Sequence, residues 1–194
     1  MKRLLEIYKN NGFFLSFFKI YYRFSLQILD LITTYMYSRI CKQFGAGVII
    51  QYGVKIEQPR NVSIGNNVFI GRGTIIQSET STGELVLEDS VHIGNDCHID
   101  HSGNVTIGEK ALLSESVFIY SHSHGYLPRS KPLPIDKYIS KSVWIGARAT
   151  ILESATIISE KNIIAAHSVV VKSILDKNVI CAGVPAKEVK KYAD

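Results

Sequence analysis

Two histidines, His122 and His124, open the longest stretch of the sequence that lacks a clear repeat. An apolar run ends just before them at Tyr120, and the repeat resumes about twenty residues later in the segment SVWIG at 142–146. A neutral imidazole can accept a proton from an attacking hydroxyl near neutral pH, and imidazoles are also common zinc ligands. The pair is therefore open to three interpretations: a catalytic base, a metal site, or the polar start of a surface loop.

The cysteines and the charge distribution limit the class of protein. The three cysteines are far apart and form no CxxC pair, which favours reduced thiols and a cytoplasmic location. The net charge is +5, but residues 1–43 carry seven Lys or Arg against two acids, so the rest of the chain is neutral. A nucleic-acid-binding protein usually carries its basic surface on the folded domain, so we expect no nucleic-acid partner.

The N-terminal segment, 1–47, is rich in aromatic residues and predicts one or two helices. It contains no long uncharged apolar run and no small-residue cleavage site, which disfavours a membrane span and a signal peptide. Two roles remain open and are compatible with each other. The segment can pack its apolar face on the end of the main domain, or it can rest as a basic, aromatic helix on an anionic membrane surface.

A six-residue period of aliphatic residues begins at residue 48 and predicts a hexapeptide β-helix. Longer steps come after every third hexad, so we expect three short strands per coil and a three-sided prism over 48–185, followed by a tail at 186–194. All insertions then lie along one edge, with the longest at about 121–142. A β-sandwich would not explain this placement. The predicted inward residues are Ile50, Ile56, Ile64, Ile70, Ile76, Leu87, Ile93, Ile99, Ile107, Leu113, Ile119, Ile145, Ile151, Ile157, Ile164 and Val170.

Four segments carry a resemblance to a known family: VTIG at 105–108, SVWIGARATILESATI at 142–157, IIAAHSVVVK at 163–172 and AGVPAKEVK at 182–190. Over 48–190 the chain resembles the hexapeptide-repeat acyltransferases. It is most similar to sugar O-acetyltransferases of the galactoside and maltose type and their relatives in polysaccharide clusters. The resemblance implies an all-β fold, the left-handed parallel β-helix, and a homotrimer that holds acetyl-CoA in the groove between neighbouring prisms.

In this family one loop histidine removes the proton of the acceptor hydroxyl, and the resemblance assigns that role to His124. The family histidine lies nineteen residues after the valine of VTIG, and the same count from Val105 gives His124. His122 is the competitor, and it can instead bind the acceptor or be a solvated turn residue.

The stacking of coils predicts which residues share the corner with the histidines. Because Ile99 and Ile119 should lie one coil apart, Asp100 and His101 should lie beside the start of the insertion. They are candidate acceptor-binding residues, although they can also be ordinary corner residues. Tyr126 lies in the insertion, which we interpret as a wall of the acceptor pocket.

No metal is expected. The family branch that binds zinc, the γ-class carbonic anhydrases, uses a His-x4-His pair, and no two histidines here are five apart. Zinc ligation by His101, His122 and His124 has no motif to support it.

The resemblance also predicts the residues that contact acetyl-CoA. Trp144 should face outward because the alternation turns Ile145 inward, and the family places an aromatic residue there in its groove. Family members hold pantetheine through backbone groups at the positions of Ala147 and Ala166. The intervening segment is one residue longer here, which leaves the register past residue 158 open. The family also places basic residues near the CoA phosphates, and the corresponding residues here are Lys172, Lys187 and Lys190. They can equally be solvated lysines without a role in binding.

The sequence thus predicts an acetyl-CoA-dependent O-acetyltransferase that acts on a sugar or saccharide in surface-polysaccharide synthesis. We expect direct attack on the thioester without an acyl-enzyme. Two alternatives stay open: N-acetylation of a nucleotide-linked amino sugar, and a β-helix scaffold without catalytic activity.

Overall fold

A computed structural model of the chain describes residues 2–127 and 129–193, with side chains from residue 14 onward. Residue 128, within the predicted insertion, lies outside the described residues. The described part consists of one long helix, α1 (Lys2–Ile40), and a parallel β-helix of about seven turns. The predicted fold class is therefore confirmed.

The strands follow one another in groups of three, and each group forms one coil. A 3-10 turn, Pro59–Asn61, separates the first two coils. The strands in chain order are β1 (Gln43–Phe44), β2 (Ile49–Ile50), β3 (Lys55–Ile56), β4 (Val62–Ile64), β5 (Phe69–Ile70), β6 (Ile75–Gln77), β7 (Leu85–Leu87), β8 (His92–Ile93), β9 (His98–Asp100), β10 (Val105–Ile107), β11 (Leu112–Leu113), β12 (Phe118–Ile119), β13 (His122–Ser123), β14 (Leu133–Pro134), β15 (Lys137–Ile139), β16 (Trp144–Ile145), β17 (Thr150–Ile151), β18 (Ile157–Ile158), β19 (Ile163–Ile164), β20 (Val169–Val170), β21 (Val179–Gly183) and β22 (Ala186–Lys191).

Strands at equivalent positions of successive coils pair in parallel and form the three sides of the prism. The first sheet has the order β1-β4-β7-β10-β15-β18, the second β2-β5-β8-β11-β16-β19-β21-β22, and the third β3-β6-β9-β12-β17-β20. Within the insertion β13 and β14 form a small antiparallel pair. The last strand, β22, pairs antiparallel with β21, so the segment expected as a tail completes the second sheet.

The core is a column of aliphatic side chains, to which the strands of the three sides contribute one or two residues each. From Ile50 to Ile164 the inward residues are almost all fully buried, because each coil covers the residues of the coil before it. The long steps between them all occur between a strand of the third sheet and the next strand of the first sheet. The prediction that insertions occupy a single edge is thus confirmed, and we call this edge the insertion corner.

The predicted series is wrong in the coil that follows the long insertion. The sequence pattern groups Ile145, Ile151 and Ile157, but the coil begins with Ile139, which is fully buried. Ile157 is 40% exposed, and its neighbour Ile158 is the buried residue. The step from Ile151 to the next inward residue is seven residues instead of six. Ile157 and Ile158 have the same hydropathy, so the sequence pattern does not show which of them is buried.

Helix α1 docks on the first coil through polar side chains. The hydroxyl of Thr34 bonds both the N–H and the carbonyl of Ile50, at 2.9 and 3.1 Å. The hydroxyl of Tyr37 accepts from the Ile56 N–H at 3.0 Å, and Asp30 accepts from the Tyr52 N–H at 2.8 Å. These bonds satisfy backbone groups at the open edge of the β-helix, which would otherwise be free to pair with another strand.

The adjacent isoleucines provide a matched test of the register. Ile158→Ala should reduce the free energy of unfolding by about 2–5 kcal/mol, because it opens a cavity in the column. Ile157→Ala should cost less than about 1 kcal/mol, because it shortens an exposed side chain. Urea unfolding of the two variants at one protein concentration compares them directly. Equal losses, or a larger loss for Ile157→Ala, would contradict the observed register.

Candidate active site

The insertion corner brings together side chains from three successive coils. Glu79 follows β6, Asp100 ends β9, and His122 and His124 follow β12. Pairing of Gln77 with Asp100 and of Ile99 with Ile119 sets these segments on top of one another. Residues more than 20 positions apart in sequence therefore meet at one place on the surface.

Asp100 is the buried centre of this group. Its carboxylate accepts hydrogen bonds from the Ser102 N–H and hydroxyl at 3.1 and 2.5 Å, and from the Ser121 N–H and hydroxyl at 2.6 and 2.9 Å. A fifth bond, of 2.8 Å, comes from His122 Nδ1. Burial acts to raise the pKa of Asp100, but the bonds from Ser102, Ser121 and His122 outweigh it and lower the pKa below its ordinary value.

His122 is oriented by this carboxylate. Its Nδ1 carries a proton, because the Asp100 oxygen is an acceptor, and in the neutral ring Nε2 presents a lone pair. That Nε2 lies 3.6 Å from Oε1 of Glu79. The side chain is only 11% exposed, so the ring is held almost completely within the corner.

His124 is held by its own loop and is more open to solvent. Its Nδ1 donates to the carbonyl oxygen of Ser130 at 2.8 Å, and the Ser130 hydroxyl donates to the carbonyl of His124. Its Nε2 lies 3.2 Å from Oε2 of Glu79, and its side chain is 40% exposed. The two imidazole rings meet edge to face, with centroids 5.0 Å apart. Both rings thus direct their Nε2 atoms at one carboxylate.

Glu79 is the site residue that the sequence pattern missed. It lies 43 positions before His122 and belongs to no recognisable motif. One signal could have found it, because the step from Ile76 to Leu87 is the second longest in the repeat and lies at the same corner.

The other predicted acceptor-binding residues are placed differently. His101 is fully buried, and its Nδ1 lies 3.1 Å from the carbonyl oxygen of Gly83, so its side chain offers no surface to an acceptor. Tyr126 projects completely into solvent from the insertion. Neither side chain belongs to the cluster around Glu79.

The residues predicted to contact acetyl-CoA lie on the second sheet and toward the end of the β-helix. Trp144 faces outward, is 48% exposed, and donates from Nε1 to the Ser114 hydroxyl at 3.0 Å. Ala147 and Ala166 follow β16 and β19 at equivalent corners of successive coils. The side chains of Lys172, Lys187 and Lys190 are exposed, the last two on β22.

The cysteines offer no nucleophile in the described structure. Cys97 is buried, and burial raises the pKa of its thiol to about 11. Burial likewise raises the pKa of Cys41 to about 11 and moves that of Cys181 upward. Thiols of this kind stay protonated near neutral pH and are poor nucleophiles.

Comparison with known proteins identifies relatives along almost the whole chain. A search against models of known protein families gives no match. The chain is 32% identical over 178 residues to a protein of Escherichia coli K12 named as a lipopolysaccharide biosynthesis O-acetyl transferase, WbbJ, covering 85% of this chain and 86% of WbbJ.

Solved structures share the fold. A variant of AntD, an N-acyltransferase from Bacillus cereus in complex with dTDP and coenzyme A, superposes with a TM-score of 0.70 at 24% identity and covers 81% of this chain and 88% of AntD. A hexapeptide-repeat-containing acetyltransferase from Vibrio cholerae in complex with acetyl coenzyme A gives a TM-score of 0.60 at 20% identity, over 86% of this chain and 80% of that one.

The repeat, the β-helix and the relationship to WbbJ agree with one another, and they confirm the predicted family and enzyme class. The chain belongs to the hexapeptide-repeat acetyltransferases and is an acyltransferase.

Proposed function

We propose that the protein transfers the acetyl group of acetyl-CoA to a hydroxyl of a sugar or saccharide during surface-polysaccharide synthesis, with His124 as the general base. The observation that carries the proposal is the fixed orientation of His124. Its Nδ1–H is held by the Ser130 carbonyl, so the basic Nε2 lies at the shared corner, 3.2 Å from Oε2 of Glu79, on a side chain that is 40% exposed. The similarity to WbbJ supports a saccharide acceptor.

In the proposed reaction the acceptor hydroxyl donates its proton to His124 Nε2 as its oxygen attacks the thioester carbonyl. The carbon–sulfur bond then breaks, and the imidazolium returns the proton to the departing CoA sulfur. The Glu79 carboxylate, 3.2 Å from Nε2, stabilises the imidazolium between these two steps. Because burial raises the pKa of the Cys41 and Cys97 thiols and so disfavours a thiol nucleophile, we propose that the acetyl group passes directly to the acceptor.

His122 and Asp100 have a different role in this proposal. Asp100 positions His122 and fixes its tautomer, as a carboxylate does for many functional imidazoles. His122 is nearly buried, so we assign it to binding a second acceptor hydroxyl rather than to proton transfer. His101, which has no exposed surface, is left without a role in acceptor binding.

We further propose that acetyl-CoA binds between neighbouring copies in a homotrimer. The exposed Trp144 supports this arrangement, because a half-exposed indole on a flat β-surface is stabilised when a ligand or a second chain covers it. Ala147 and Ala166 are small enough to let the pantetheine arm approach the backbone. Lys172, Lys187 and Lys190 supply positive charge for the phosphates.

Helix α1 is proposed to contact an anionic membrane surface. None of the described helical segments combines the length and hydropathy that a membrane crossing requires. The side of α1 opposite the docking residues instead carries exposed apolar side chains at helical spacing, namely Phe14, Phe18, Tyr21, Ile28, Ile32 and Tyr35. Aromatic side chains favour the membrane interface, and the basic excess of residues 1–43 complements anionic lipids.

The role of His124 is tested by replacing each imidazole in turn. His124→Asn should lower kcat/KM for acetyl transfer about 10²–10⁴-fold, as expected for loss of a general base, and should leave the affinity for CoA unchanged. His122→Asn should mainly raise the KM for the acceptor. His92→Asn is the matched control, because His92 stacks on Phe69 away from the corner. Full activity in His124→Asn with loss in His122→Asn would transfer the base assignment to His122.

The acceptor class is tested with labelled acetyl-CoA and a panel of hydroxyl sugars and amino sugars, free and nucleotide-linked. We expect products that hydroxylamine cleaves, because esters are labile and amides are not. Products formed only on amines would replace O-acetylation by N-acetylation. Failure of every acceptor, together with failure to bind CoA, would favour the scaffold alternative.

Trp144→Ala should weaken acetyl-CoA binding about tenfold, equivalent to about 1.4 kcal/mol, because the ligand loses an aromatic contact. Titration calorimetry measures the Kd, and light scattering checks that the oligomeric state is unchanged. Tyr138→Ala is the control, since Tyr138 is a similarly exposed aromatic residue on the first sheet. An unchanged Kd for Trp144→Ala would contradict the placement of CoA.

Replacing Phe14, Phe18, Tyr21 and Ile32 with Ser should reduce co-sedimentation with phosphatidylserine vesicles by at least about tenfold, because apolar area at the interface is lost. The docking residues on the other side of α1 are untouched, so the fold is preserved. Leu175→Ser, Val184→Ser and Val189→Ser form a control set, since the exposure of these side chains at the other end of the β-helix falls within the range of the α1 set. Equal effects of the two sets would rule out a specific role for α1.

A further inference from the structure

We propose that Glu79, His122 and His124 form a binding site for one divalent cation of the zinc class, and that the bound cation inhibits the enzyme. The binding part depends only on the geometry of the cluster. The inhibition part rests on the proposed role of His124. The cation is an inhibitor here, so the expectation that acetyl transfer needs no metal is unaffected.

The distances between the three ligand groups suit a tetrahedral metal. His122 Nε2 lies 3.6 Å from Oε1 of Glu79, and His124 Nε2 lies 3.2 Å from Oε2. With one ligand atom from each of the three residues, the set lies within 4.8 Å. Tetrahedral zinc with ligand bonds of about 2.0–2.1 Å requires ligand atoms about 3.3 Å apart, so small side-chain movements complete the site.

The hydrogen bonds of the two rings leave only lone pairs in the centre of the cluster. The Nδ1–H of His122 is used on Asp100, and the Nδ1–H of His124 is used on the Ser130 carbonyl. Each Nε2 of a neutral ring is then an acceptor, and the Glu79 carboxylate is an acceptor as well. Three acceptors that face one another are stabilised by positive charge between them, which either a proton on an imidazole Nε2 or a divalent cation supplies.

The same two bonds are the outer contacts that zinc-binding histidines usually make. Metal-bound imidazoles donate their second N–H to a carboxylate or a backbone carbonyl, which fixes the ring and increases its basicity. Here Asp100, which is fully buried, supplies the carboxylate, and Ser130 supplies the carbonyl. The two carboxylates, Glu79 and Asp100, also balance the charge of a divalent ion.

The cluster leaves room for a fourth ligand. Its position at His124 also determines how a bound cation would inhibit acetyl transfer. The side chains of Glu79 and His124 are 43% and 40% exposed, so water can complete the coordination. A metal bound to His124 Nε2 occupies the lone pair that would accept the acceptor proton. Inhibition should therefore be competitive with the acceptor and not with acetyl-CoA. Nitrogen ligands favour Zn²⁺, Co²⁺ or Ni²⁺ over Mg²⁺ and Ca²⁺.

Metal binding is measured on the full chain after treatment with a chelator. Titration with Co²⁺, followed by its visible absorption, and with Zn²⁺, followed by calorimetry, should show one ion per chain. Glu79→Gln, His122→Asn and His124→Asn should each weaken binding about 100-fold or more, and Asp100→Asn should weaken it about 10–100-fold. His92→Asn should bind like the unchanged protein. Circular dichroism and the Tm confirm that each variant is folded.

Absence of stoichiometric binding, or equal binding by the unchanged protein and by folded Glu79→Gln and His124→Asn, would overturn the proposed site. Zn²⁺ should also lower the rate of acetyl transfer, with recovery after addition of EDTA and no effect of Mg²⁺. Binding without inhibition would overturn the inhibitory role alone. Because the binding measurement uses no substrate, it can succeed even where the acetyl-transfer assay shows that the proposed function is wrong.

Discussion

The in-register stacking of successive coils is the constraint on which the rest of the structure depends. Strands at equivalent positions of successive coils pair in register, so Ile99, Ile119 and Ile151 are aligned in the third sheet. A slip of one residue would turn an inward aliphatic outward and expose part of the column. Two corners of the prism therefore keep nearly constant lengths, and the third corner accommodates all variation.

The candidate site follows from this constraint. Insertions of different lengths all begin at the insertion corner, so polar side chains of three coils converge there without any motif in the sequence. A buried carboxylate such as Asp100 would be costly without partners, and five hydrogen bonds from Ser102, Ser121 and His122 satisfy it. The rigid stack thereby fixes the imidazole orientation before any substrate binds, which is the form of preorganisation that catalysis requires.

The first and last coils of the β-helix have a neighbouring coil on one side only, so their outer strand edges are left without a partner strand. Thr34 and Tyr37 of α1 bond the backbone of the first coil, and β22 folds back on β21 at the other end. Both devices cover strand edges that would otherwise invite pairing with another chain. Because only one side of α1 is needed for this purpose, its aromatic side remains available for another surface.

Much of the fold could be predicted from the sequence, because one aliphatic residue per hexad is a strong periodic signal. The signal fails where hydropathy is ambiguous, as at Ile157 and Ile158, or where a strand follows a long polar insertion, as at Ile139. The stacking of coils predicts that Asp100 lies beside the start of the insertion, where it bonds Ser121, but it cannot indicate that the His101 side chain is fully buried. Glu79 could not be predicted as a site residue, because its contact with His122 and His124 depends on the path of an irregular loop. No local sequence pattern determines that path.

We propose that this corner holds the acceptor hydroxyl against His124, and a crystal structure with CoA and the acetylated product would locate that oxygen. We expect the newly acylated oxygen within about 2.6–3.2 Å of His124 Nε2, with the CoA sulfur beyond it and Trp144 beside the pantetheine arm. An acylated oxygen bound at His122 Nε2 instead, or a product bound away from the insertion corner, would contradict it.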